Sequence, residues 1–96
     1  MLIKAGVDIS RLNREIRRAL RKASDLLADY NHEIIVTETY GGNHGAGSLH
    51  YANDAFDMRD PDPCISKYLT VLKERLGPDF DVVDEHDHFH IEYDPK

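Results

Sequence analysis

Ninety-six residues supply apolar surface for only one core, so a single domain spanning residues 1–96 is expected. With 41% hydrophobic and 31% charged residues the composition excludes a disordered chain and fits an ordinary soluble globular protein of net charge −6. The apolar runs fall far short of the roughly 18 residues that cross a bilayer, and the single cysteine, Cys64, excludes an internal disulfide framework and a multi-cysteine zinc site.

The first residues, Met1-Leu2-Ile3-Lys4-Ala5-Gly6, lack the basic segment, apolar stretch and cleavage site of a secretory signal, so the chain is expected to stay in the cytoplasm as synthesised. Charge is uneven. Residues 1–22 carry seven Lys or Arg against Asp8 and Glu15, and the remainder carries five against sixteen acids. The acidic part suits a divalent cation or a basic ligand, and the arginines read as a solvated helix face, so neither a nucleic-acid nor a membrane partner is expected.

Ile9, Leu12, Ile16, Leu20, Ala23 and Leu27 recur at steps of three and four, which predicts an amphipathic helix over 9–30 capped by Asp8 or Ser10. Asn31-His32 ends that pattern. Glu33 to Thr39 is short and β-branched, as a buried strand should be. Residues 41–47 hold four glycines without any period and predict a loop; no Gly-Lys-Ser/Thr follows, so it is not a phosphate-binding loop.

The turn signal Ala52-Asn53-Asp54 precedes a second strand, Ala55 to Arg59, and Asp60-Pro61-Asp62-Pro63 breaks it. Cys64 follows these prolines and reads as a buried or incidental cysteine. Ile65, Tyr68, Leu69, Leu72 and Leu76 predict a second helix, stopped by Gly77-Pro78. Extended stretches at Phe80 to Val83 and His88 to Tyr93 close the chain.

In the last strand His88, His90 and Glu92 share one face and Phe89, Ile91 and Tyr93 the other. By itself a His-x-His pair fits a structural role as well as a metal. His50 and Asp57, seven residues apart, would oppose each other on one continuous strand. A reversal at Ala52-Asn53-Asp54 lets both meet the face bearing His88 and His90. Two imidazoles and a carboxylate with an open fourth position are one plan for catalytic zinc.

Ser48-Leu49-His50-Tyr51-Ala52-Asn53-Asp54-Ala55-Phe56-Asp57 resembles the S-x-H-x-x-G-x-A-x-D motif of the zinc D-Ala-D-Ala peptidases, and Asp87-His88-Phe89-His90 resembles their closing D-H-x-H. That family includes cell-wall carboxypeptidases, phage endolysins and the zinc domain of hedgehog proteins. The order of elements over nearly the whole chain is similar to its compact phage-type members. The resemblance implies an α+β fold of the hedgehog/D,D-peptidase type, with a small antiparallel sheet of about four strands and two main helices packed on it. It implies one Zn²⁺ held by His50, Asp57 and His90, with His88 beside the metal.

Asp87, three residues before His90, takes the place of the family's catalytic acid, with Glu85 as the second candidate. His88 would stabilise an oxyanion, and Ser48 would orient His50 or the substrate. Asn53 stands where the family has glycine, which asparagine's tolerance of left-handed backbone accommodates. The upstream arginine that binds a substrate carboxylate in many relatives is absent from Glu38 to Gly42, leaving His44 or Arg59 as replacements. The expected function is zinc-dependent hydrolysis of peptidoglycan stem peptides by a monomer, reaching the cell wall through a holin or a virion. The alternative is a non-catalytic metal-binding or interaction module on the same fold.

Overall fold

The computed structural model describes residues 1–39, 53–61 and 67–95. Seven elements follow in order: β1 (Leu2–Ile3), α1 (Arg14–Asp29), β2 (Ile35–Glu38), β3 (Ala55–Arg59), α2 (Tyr68–Leu76), β4 (Phe80–Asp84) and β5 (His88–Tyr93). The α+β architecture expected from the pattern is present, as two helices on a five-stranded mixed sheet of order β1-β2-β3-β5-β4. Strands β2, β3, β5 and β4 pair antiparallel. The fifth strand, β1, was not anticipated and runs parallel to β2 at the edge. Leu2 and Ile3 are exposed and too few to show an alternation, so only the backbone bonds Leu2 N–H to Ile34 C=O and Lys4 N–H to Val36 C=O, both 2.9 Å, reveal it.

Helix α1 starts five residues later than its apolar pattern does. Asp8 Oδ1 accepts from the Ser10 N–H at 2.8 Å and its carbonyl accepts from Thr39 Oγ1 at 2.8 Å. This turn gives the backbone a local alternative to the helix, so neither Asp8 nor Ser10 is the cap. Asn13 takes that position without capping through its side chain. Its amide instead donates to Asp54 Oδ1 at 2.7 Å, and its backbone N–H donates to the Asn53 carbonyl at 2.9 Å. Those bonds dock the helix start onto the turn before β3, where Asn53 has φ 62°. Asparagine tolerates that left-handed backbone better than most residues with a side chain.

Both helices cover one face of the sheet. Ile16, Ala19, Leu20, Ala23, Leu26 and Leu27 of α1 and Tyr68, Leu72 and Leu76 of α2 are buried against Val36, Phe56, Met58, Val82, Phe89 and Ile91. The buried Tyr68 hydroxyl donates to the Ala23 carbonyl at 2.9 Å, and its ring stacks on Phe89 with centroids 6.2 Å apart. Helix α2 ends at Gly77, whose φ of 87° is a conformation that side chains resist. Because strand side chains alternate, burying Phe56, Met58, Phe89 and Ile91 turns Asp57, His88, His90 and Glu92 to the opposite face. Among the described residues no helix is long and apolar enough to cross a membrane.

Candidate metal centre

The register of β3 and β5 sets Asp57 directly across from His90, Arg59 across from His88 and Ala55 across from Glu92. Partners in an antiparallel pair share a face, so 33 residues of separation end in contact. His90 Nδ1–H donates to Asp57 Oδ1 at 2.9 Å, with the two side chains only 18% and 11% exposed. His88 Nε2 lies 3.6 Å from Asp57 Oδ2. On its far side the His90 ring donates from Nε2–H to Glu92 Oε1 at 3.0 Å.

A carboxylate at each nitrogen favours the charged ring. The His90 pKa is raised, first by the Asp57 hydrogen bond, then by the Asp57 and Glu92 charges and the Glu92 bond, against the opposing effect of burial. His90 and Asp57 are also two of the three residues that the resemblance assigns to the metal. Two tetrahedral donors at the usual zinc distances stand about 3.3 Å apart, so a separation of 2.9 Å needs only a slight opening once the shared proton leaves. The donor set fits zinc in chemistry and near-fits it in spacing. His50, the third implied ligand, lies outside the described residues, as do Ser48, His44 and Cys64.

His88 does not complete a three-donor cluster with Asp57 and His90. Among the described residues, three ligand-type side chains with donor atoms mutually within 4.8 Å occur at Asp81, Glu92 and Asp94, an acidic group at the β4–β5 edge. Sequence pattern shows neither that group nor the tie between Glu92 and His90. Glu92 shares the face of His90 by alternation, but which ring nitrogen it meets depends on rotamers.

Asp87 is set by the hairpin between β4 and β5. The Asp87 N–H donates to the Glu85 carbonyl at 3.1 Å across His86, whose φ is 79°, and the His86 N–H donates to Asp84 Oδ1 at 2.9 Å. This three-residue turn is a strained form that non-glycine residues seldom adopt. It presents Asp87 Oδ1 to His88 Nδ1 at 2.6 Å. That hydrogen bond is the first cause of a lowered Asp87 pKa, so the fully exposed carboxylate is an ionised acceptor at neutral pH. Glu85 is exposed and its side chain has no partner among the described residues, so only Asp87 of the two candidate bases reaches the histidines.

Beside these groups lies a cleft of about 520 Å³ lined by Lys4, Thr37, Glu38, Asp57, Arg59, Asp87 and His88. A register shift between Val36 and Glu38 opposes two β2 residues to one of β3, which brings both Thr37 and Glu38 to the cleft. Lys4 and Arg59 form no ion pair with a described carboxylate and supply the cleft's positive charge. No protein-family model matches the chain, and no curated protein matches it in sequence.

Proposed function

We propose that this protein is a zinc-dependent peptidase that hydrolyses peptide bonds of bacterial cell-wall peptidoglycan. The observation that carries the reading is the convergence of Asp57 and His90 from two strands, with His88 and Asp87 next to them. Side chains that only stabilise a sheet have no need of four such groups on its open face. His50, Asp57 and His90 would hold the metal, which when bound supplies a Lewis acid and an activated water.

Asp87 accepts a proton from the attacking water and returns it to the leaving amine. The His88 bond at Nδ1 keeps that carboxylate ionised, and the His88 ring stands where a ring N–H would stabilise negative charge on the carbonyl oxygen. Arg59 and Lys4 line the cleft where an anionic part of the peptide would lie.

Metal analysis of the purified protein, together with digestion of peptidoglycan and mass identification of the fragments, tests the reading. One zinc per chain and release of stem-peptide fragments are expected. His50→Ala, Asp57→Ala and His90→Ala should each abolish tight binding, whereas His88→Ala should largely spare it. Zinc binding without hydrolysis of any peptidoglycan type would favour a non-catalytic metal-binding module; no zinc binding at all would end both readings.

A further inference from the structure

We propose that Glu92 is the positioning residue of this centre, holding the His90 ring by Nε2–H so that Nδ1 faces Asp57 and the metal. The inference rests on the zinc reading above. An imidazole offers two nitrogens, and a metal takes whichever presents a lone pair; the other must keep its proton and a partner for it. At His90 the choice is made by two strands. Asp57 of β3 stands at Nδ1, and Glu92, two residues along β5 on the same face, accepts from Nε2–H at 3.0 Å.

The spacing follows from strand geometry. Alternation places Glu92 one same-face step beyond His90, a distance a glutamate side chain spans. Burial adds to it, because Glu92 is 23% exposed and His90 18%, so water competes poorly for the Nε2 proton. Without the carboxylate the Nε2–H loses this acceptor, and the ring loses its hold on the side away from Asp57. Ligating histidines generally need such an outer partner, and its loss typically costs about 10-fold to 100-fold in metal affinity.

Asp81 and Asp94 supply the control, since they belong to the same acidic group as Glu92, and Asp94 has no bond to the ring. If the group acted only through its charge, Asp94→Asn would weaken zinc as much as Glu92→Gln does. If Glu92 acts through its bond, the order is different. Glu92→Leu should weaken zinc about 10-fold to 100-fold, Glu92→Gln should weaken it less because an amide oxygen still accepts, and Asp94→Asn should leave it unchanged.

The experiment is competitive zinc titration of the four folded proteins, with circular dichroism as the check on folding and nitrogen NMR of the His90 ring as the second readout. In zinc-loaded wild type the proton should sit on Nε2, and in Glu92→Leu its hydrogen-bonded signal should be lost. Glu92→Leu and Glu92→Gln that bind zinc within twofold of wild type, with unchanged ring signals, would overturn the positioning role alone. A wild type that binds no zinc would overturn the metal reading and this one with it.

Discussion

At the scale of the residue, His90 ties stability to pH with a definite sign. Its folded pKa is raised, chiefly by Asp57, so the contact contributes fully below the unfolded histidine value of about 6.5 and is lost as pH rises through the folded value. In chelator-treated protein the difference in denaturant midpoint between wild type and His90→Gln should therefore shrink as pH rises above neutrality. A constant difference would mean that the ring does not hold its proton between Asp57 and Glu92. The proposed zinc would reverse the trend, because a ligating nitrogen must first lose its proton, so zinc affinity should rise over the same range. In the proposed hydrolysis Asp87 is the base. Asp87→Asn keeps the shape and cannot accept the water proton, so zinc binding should survive while hydrolysis falls about 100-fold to 10,000-fold. Glu85→Gln, on a side chain that touches no described group, should be nearly silent.

At the scale of the element, what was legible in sequence is what repeats locally. Alternation in His88 to Tyr93 and the three-four spacing of Ile16 to Leu27 are short-range signals, and both elements formed with the expected faces inward. The start of α1 was not legible, because a turn at Asp8 competes with helix over the very residues that extend the apolar stripe. The shift in β2 and the strained turn at His86 leave no trace in composition either, since each exists only against a partner strand. Tyr68 shows how much α2 depends on one long-range bond. Burial holds its hydroxyl protonated far above the ordinary phenol range, and that hydroxyl donates to Ala23 of α1. Tyr68→Phe should cost about 1 kcal/mol, lowering the melting temperature by about 4–8 °C in a domain of this size. A shift under about 1 °C would show that the bond adds nothing net.

At the scale of the whole molecule, the uneven charge of the sequence becomes a difference between two sides. The arginines of α1 face solvent on the helical side, whereas Asp57 and Glu92 belong to the sheet face turned away from the helices, with Asp87 in the turn beside it. That segregation gathers carboxylates on the face where the proposed metal would bind. A reversal at Ala52-Asn53-Asp54 let Asp57 be expected on the face of His90, but their direct pairing was not legible, because no local pattern specifies which residues pair across 33 positions. Strands β3 and β5 carry a further consequence: oil and chemistry are printed on two sides of the same ribbon. One residue inserted into Ala55–Arg59 would carry Asp57 inward and push Phe56 out, so the Asp57–His90 contact and the core packing would fail together. Two inserted residues would restore the sides but carry Asp57 about 6.6 Å away from His90. Length changes in this ribbon are thus confined to its ends, and the groups on its polar side can drift in evolution only by substitution.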